Sequence, residues 1–236
     1  MTDLNAKQAA AIEAVKMVMD GQVVGLGSGS TAELFILELG KRVQTEGLDI
    51  IGIPTSKKSE SIGRESGIPI STLEEHSAID ITVDGADEVD SNLDLIKGLG
   101  GALLREKIVA AATQKEVIVV DESKMVHQLG TKSPLPIEIV QFSHGHIARN
   151  LAKLGCTPIL RMKESSPYVT DNGNYIIDCS FKGIENPEKL EIAIRAIPGV
   201  VETGLFLGMA NTVIIGASTG VRIMKRKERP ARRLLR

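Results

Sequence analysis

The sequence predicts an α/β protein: an open parallel-sheet domain that carries a second, smaller α+β unit. Three observations predict it. Over roughly the first 130 residues, short apolar runs alternate with amphipathic helical stretches, the pattern of parallel strands joined by crossover helices. Two of these runs end in acids, at Asp84 and Asp121, and open sheets of this kind keep their ligands outside the carboxyl ends of the strands. Beyond Pro134 and Pro136 the order changes to strand, helix, strand, strand, helix, strand.

Composition bounds the rest. With 236 residues and 42% hydrophobic content, the chain can bury a substantial core. A net charge of −2 gives no overall reason to expect nucleic acid. Cys156 and Cys179 have no metal-ligand spacing, so neither a zinc site nor a disulfide framework is expected, and both read as small buried groups in a reducing compartment. No apolar run follows a basic N-terminus, and nowhere are 18 apolar residues consecutive, so a cytoplasmic protein without membrane contact is expected. Charge is uneven: from Arg222 to Arg236 eight Lys/Arg face one Glu. This end could touch RNA, but it lacks interleaved aromatics, and a solvated, frayed tail is the preferred reading.

In chain order, Leu4 to Met19 reads as a helix ended by Asp20-Gly21, with Lys7 near its start. Val23 to Gly27 is a buried strand running into Ser28-Gly29-Ser30-Thr31 and a helix from Ala32 to about Gly40. Glycines and hydroxyls at a helix start make either an anion cradle or a capped tight turn. Gly25 and Gly27 begin a G-x-G, yet Ser30 stands where a dinucleotide fingerprint wants glycine, and no Gly-Lys-Ser/Thr follows. A small monophosphate fits better than a nucleotide. Asp49 to Ile53 is a strand ended by Pro54. Thr55 to Ser59 then opens a helix, its hydroxyls lining the same mouth or merely capping. A short strand follows near Ile68 to Ile70, and His76, in an acidic connector, has no assigned role.

The strand Ile79 to Val83 delivers Val83-Asp84-Gly85-Ala86-Asp87-Glu88-Val89-Asp90, followed by Lys97-Gly98-Leu99-Gly100-Gly101 and Arg105-Glu106-Lys107. Asp84, Asp87 and Glu106 around Lys97 form a mixed-charge pocket in which pKa values can be driven apart. That is the equipment of proton transfer at carbon. The helix from Gly101 to Thr113 has an apolar face of Leu103, Leu104, Ile108, Val109 and Ala112, with Glu106 presented from its first turn to the loop. Arg105 and Lys107 read as structural partners of acids. Glu116 to Asp121 is the strongest strand, suited to burial on both faces, and puts Lys124 at the strand-end side.

Gly130 to Pro136 is a rigid exit from the first unit. Strands at Ile137–Phe142, Thr157–Met162, Tyr175–Asp178 and Gly199–Glu202, helices at His144–Leu154 and Pro187–Ala196, and a hairpin-type turn at Asp171-Asn172-Gly173-Asn174 make a ferredoxin-like unit. His144 and His146 lack a third ligand nearby, so no metal is expected there. Asn211–Gly216 and Val221–Met224 supply strands that can return to the first sheet. The expected organisation is a Rossmann-like domain of residues 1–130 plus 205–224, an inserted α+β domain of 131–204, and a basic tail of 225–236.

Six segments taken together resemble the A-type ribose-5-phosphate isomerase family, from Lys7 to about Met224. They are Gly25 to Thr31, Val83 to Glu88, Lys97 to Ala102 with Leu104 to Lys107, Asp121 to Lys124, Pro134 to Glu138, and Thr170 to Asn174. The resemblance implies a metal-free aldose-ketose isomerase without cofactor, interconverting D-ribose 5-phosphate and D-ribulose 5-phosphate in the pentose phosphate pathway as a homodimer or a dimer of dimers. By the same resemblance Glu106 is the base; the chemistry then expects Lys97 as the electrostatic partner of the sugar oxygens, and Asp84 and Asp87 to orient hydroxyls and help proton exchange between O1 and O2 or open the furanose ring. Substrate contacts fall to Lys7, to Ser28, Gly29, Ser30 and Thr31, to Asp84, Gly85, Ala86 and Asp87, to Lys97, Gly98, Leu99 and Gly100, and to Lys124. Ser28 stands where the family often has threonine, Leu99 interrupts a run that is often all glycine, and the basic end lies past the usual terminus. Two rivals stay open: an amino-sugar phosphate deaminase, which would act on glucosamine 6-phosphate, and a phosphosugar sensor that binds without turnover and uses the tail on RNA.

Overall fold

The computed structural model describes residues 3–226. Helix α1 (Asp3–Val15) leads to β1 (Val23–Leu26), α2 (Ser30–Glu46), β2 (Ile51–Pro54), α3 (Lys57–Glu65) and β3 (Ile79–Asp84). The two-residue strands β4 (Glu88–Val89) and β5 (Leu95–Ile96) precede α4 (Leu103–Ala111), β6 (Thr113–Asp121) and a 3-10 turn at Glu122–Lys124. Next come β7 (Leu135–Ile139), α5 (His144–Ala152), β8 (Thr157–Leu160), the small hairpin β9 (Met162–Lys163) and β10 (Ser166–Pro167), β11 (Tyr175–Ser180) and α6 (Pro187–Arg195). The chain closes with β12 (Val200–Thr203), β13 (Leu205–Phe206), β14 (Thr212–Ala217) and β15 (Gly220–Lys225).

Six strands form one sheet in the order β15-β14-β6-β3-β1-β2, parallel except for the edge strand β15. After β1 the chain crosses to β2 on one side, and it then returns to lay β3 on the other. The carboxyl ends of β1 and β3 therefore flank a point where the strand order reverses, the place such sheets keep for ligands. Side chains alternate across the strands. Val24, Leu26, Ile81, Val83, Val117 and Val119 pack against Ala10, Ala14, Phe35, Ile36 and Leu39 on one face. Ile118, Val120, Val213 and Ile215 meet Val89, Ala110 and Phe206 on the other. Burial on both faces is why β6 reads as a continuous apolar run; each such side chain contributes about 1.5–3 kcal/mol.

A second sheet has the order β12-β7-β11-β8, all antiparallel, with α5 and α6 as crossovers, which is the ferredoxin-like order. A third, of β13, β5 and β4, lies between them; strands of two residues leave no periodic signal, and the sequence did not predict it. Helix α1 ends at Val15 rather than Met19, in tight turns from Met17 N–H to Ala14 and from Val18 N–H to Val15. Helix α2 runs through Gly40 to Glu46, because Gly40 is the contact point for Ser66 and not a stop; Gly47 caps it in the left-handed conformation. The turn at Asp171–Asn174 is not a hairpin between sheet neighbours. Thr170, Asn172 and Asn174 instead direct their side chains onto the buried carboxylate of Glu138, at 2.9, 3.2 and 2.9 Å. Lys225 closes β15, and the Arg226 guanidinium donates to the carbonyls of Ala210 and Leu93 at 2.8 and 2.7 Å, so the basic stretch begins inside the fold. The rest of the basic tail, 227–236, lies outside the described residues. Among the described residues, no helix is long and apolar enough to cross a membrane.

Candidate active site

Lys97 is the hub of the switch point. Its ammonium, 2% exposed, lies 3.1 Å from Asp84 and 3.2 Å from Glu106 and donates to the carbonyl of Gly85. β3 supplies Asp84 as its last residue, the strand β5 leads directly into Lys97, and the first turn of α4 supplies Glu106. Asp84 is fully engaged: Oδ1 accepts the N–H groups of Ser28 and Gly85 at 2.8 and 2.7 Å while Oδ2 faces the ammonium. Gly27 is glycine because a Cβ there would collide with the Asp84 side chain. Glu106 offers Oε1 to Lys97, whereas its Oε2 is buried without a partner.

These contacts set the charges. Burial opposes the charge on Lys97, but the carboxylates of Asp84 and Glu106 outweigh it and hold the ammonium above its ordinary pKa. Burial raises Glu106, to about 8, against the attraction of Lys97 and with further upward pressure from Asp84 and Asp87. A carboxylate so raised is a stronger base than an exposed one and still ionises near neutral pH. Asp87, half-buried, accepts the Leu99 N–H at 2.9 Å, and burial raises its pKa although that bond, Lys97 and Lys124 oppose the shift.

The loop after Lys97 turns on two glycines, Gly98 (φ +108°) and Gly101 (φ +84°). Leu99 has no such conformation and is 41% exposed, so a side chain is tolerated between the two glycine turns. On the opposite side of the cleft, α2 opens behind Gly29 without any side-chain cap, leaving its first-turn N–H groups to an outside partner. Ser28 Oγ is held by Thr55 and Ser56 at 2.8 Å each, and Ser56 caps α3, so these buried hydroxyls cap the helix and brace Ser28. Lys7 reaches from α1 to Ser30 Oγ at 3.2 Å, and Asp121 lies 4.0 Å from its ammonium.

Other singled-out residues face elsewhere. Glu88 is fully buried and accepts the N–H groups of Gly130, Lys132 and Ser133 at 2.6, 2.7 and 2.5 Å, pinning the exit to the second unit. Lys107 pairs with Glu202 at 2.8 Å, the acid partner expected of it, whereas Arg105 donates to the Asn172 amide oxygen at 2.8 Å and the Asp171 carbonyl at 3.2 Å rather than to a carboxylate. His144 packs edge-on against Tyr175. Among the described residues, no group of three or more His, Cys, Asp and Glu side chains is placed to hold a metal ion.

The sequence missed Glu116. It sits on β6 opposite Thr82, 2% exposed, with neither carboxylate oxygen hydrogen-bonded. Burial, then the charge of Asp84, hold its pKa well above the ordinary value, with Lys97 opposing. The folded state therefore keeps a proton that the unfolded chain releases above about pH 4.5, and stability is lost as pH rises toward the folded pKa. Glu116→Gln carries no charge. It is expected to match the parent below pH 5 and to exceed it at pH 9 by about 1–3 kcal/mol in urea unfolding; a difference independent of pH would contradict this.

The chain matches the family model for ribose 5-phosphate isomerase A (phosphoriboisomerase A) over residues 51–220. It is 51% identical over 217 residues to ribose-5-phosphate isomerase A 1 of Oceanobacillus iheyensis, covering 92% of this chain and 96% of that protein. Ribose 5-phosphate isomerase A of Methanocaldococcus jannaschii superposes with a TM-score of 0.91 at 43% identity, covering 95% of this chain and all of that one. A D-ribose-5-phosphate isomerase solved in complex with phospho-erythronic acid superposes with a TM-score of 0.93 at 42% identity, covering 96% of this chain and 100% of that one.

Proposed function

Because the chain belongs to the ribose 5-phosphate isomerase A family, and so interconverts D-ribose 5-phosphate and D-ribulose 5-phosphate in the pentose phosphate pathway, we propose that Glu106 is the base of that reaction. The observation that carries the assignment is the free Oε2 of a buried glutamate beside a buried ammonium. Glu106 takes the proton from C2 of the open-chain aldose, and the C–H electrons form the C1–C2 double bond of a cis-enediolate with charge on O1. A proton passes between the two oxygens, and Glu106 returns its own to C1 on the same face, giving the ketose. General base placement of this kind supplies about 10²- to 10⁴-fold in rate.

The remaining roles follow from which groups have capacity to spare. Of the glycine loop, the Leu99 N–H is taken by Asp87 and that of Gly101 by the Gly98 carbonyl, which leaves the Gly100 N–H for the developing negative charge. Lys97, its donors held by Asp84, Glu106 and Gly85, contributes its positive charge. Asp84 has no free oxygen and orders Ser28, Gly85 and Lys97. Asp87, with its raised pKa and partial exposure, is the better group for proton exchange between O1 and O2 and for opening the furanose ring. The phosphate falls to the N-terminus of α2, with Ser28, Gly29, Ser30 and Thr31 and the charge of Lys7, while Lys124 stands on the Asp87 side. Gly85 and Ala86 line the sugar between them. Anchoring the far end of the substrate holds C2 in reach of Glu106.

Phospho-erythronic acid fits the same reading, its phosphate in the cradle and its carboxylate in place of the enediolate oxygens. By family resemblance the working unit is a homodimer or a dimer of dimers in the cytoplasm, needing no cofactor or metal, with residues 1–130 and 205–224 as the catalytic domain and 131–204 as the insertion. The test is conversion of ribose 5-phosphate to ribulose 5-phosphate under excess chelator. Undiminished turnover is expected; loss of turnover restored by a divalent cation would overturn the metal-free scheme.

A further inference from the structure

Arg161 lies between β8 and β9 in the second unit, far in sequence from every segment of the cleft, and only 13% of its side chain is exposed. It forks onto Asp178 of β11, Nε to Oδ2 at 2.9 Å and Nη2 to Oδ1 at 2.5 Å. Its remaining nitrogen, Nη1, donates to two consecutive carbonyls of the glycine loop, Gly98 at 2.9 Å and Leu99 at 3.0 Å. The guanidinium stands 5.8 Å from the centre of the Tyr168 ring, and that ring in turn abuts Gly101, where a Cβ would strike it.

These contacts fix two peptide planes. In a trans peptide the C=O and N–H point in opposite directions, and the described residues contain no cis bond. With the Gly98 and Leu99 carbonyls both drawn to Nη1, the N–H groups of Leu99 and Gly100 face the other way. That of Leu99 does so visibly, donating to Asp87 at 2.9 Å. Resting on the reading of this loop as the electrostatic wall of the isomerase site, we infer that Arg161 is a positioning residue. It holds the Leu99 N–H on Asp87 and the Gly100 N–H toward the oxygens of the enediolate, and Asp178 and Tyr168 hold Arg161. Only a planar fork can grip a carboxylate with one edge and two carbonyls with the remaining nitrogen; a lysine offers a single point.

A brace that merely docked the two units would, when lost, lower stability or weaken all ligands alike. A positioning residue changes the transition state selectively. The experiment compares Arg161→Met, Arg161→Lys and the parent for kcat, KM, and inhibition by phospho-erythronic acid and by inorganic phosphate. For Arg161→Met, kcat is expected to fall about 10- to 100-fold, short of the 10²- to 10³-fold that removal of an oxyanion donor costs. Inhibition by phospho-erythronic acid, through its carboxylate, should weaken by a similar factor. KM and inhibition by phosphate should stay within threefold. Unchanged kcat, or equal weakening of both inhibitors, would overturn the inference. Should Arg161→Met fail to fold, Arg161→Lys carries the test: a split between the two inhibitors supports the role and parental behaviour refutes it. The outcome is separable from the base assignment, since Glu106→Gln can fail or succeed on proton removal whatever Arg161 does.

Discussion

Lys97→Met is expected to destabilise the protein by about 3–5 kcal/mol, the usual result of removing one partner from a buried ion pair. Here the ammonium serves two carboxylates and a carbonyl at once, and it and both carboxylates are almost wholly buried. Without it, Glu106 must either stay charged where it is buried or take up a proton. The second outcome has a clear sign. Lys97 is the main influence lowering the pKa of Glu106, so its loss drives that pKa further up. The folded variant then binds a proton that the unfolded chain has released, and its deficit relative to the parent narrows as pH falls and Glu106 becomes neutral in both. Urea unfolding of both proteins at pH 5 and pH 8 measures this. A deficit that widens at pH 5 would show that the carboxylates are not held by Lys97.

Glu106→Gln is expected to lower kcat by about 10²- to 10⁴-fold with little change in KM, because glutamine keeps the shape and the bond to Lys97 but has no basic oxygen. The pH dependence carries a second check. The base must be ionised, and burial holds its pKa near 8, so kcat/KM of the parent should rise with pH through that region rather than near 4.5. The variant should lose that limb. An acid limb at the ordinary carboxylate position would mean that the reacting base is solvated and is some other group.

What the sequence disclosed, and what it hid, follows from range. Asp84, Asp87, Lys97 and Glu106 lie within 23 residues, on one strand end, one glycine loop and one helix start, so local patterns were enough to bring them together. The ferredoxin-like order was legible because, beyond Pro136, four apolar runs of strand length are separated in order by two helical stretches. The sequence places the end of helix α2 near Gly40, since that glycine looks like a terminator, but Ser66 needs its missing side chain and the helix continues. Glu88 read as one more acid of the loop, yet three N–H groups 42 to 45 residues away claim it. Glu116 reads as the polar start of a strand, and only burial makes it an orphan. Arg161 had no signal at all: a lone arginine near a hairpin acquires its role from a loop some 60 residues earlier.

The central claim is that one carboxylate moves the hydrogen between C2 and C1, and following that hydrogen by NMR in deuterated water tests it most directly. The parent should wash deuterium into C2 of ribose 5-phosphate while it isomerises. Glu106→Gln, folded and still able to bind inorganic phosphate, should slow that exchange at least 100-fold, in step with its loss of turnover. Exchange at C2 near the parental rate in the variant would contradict the account.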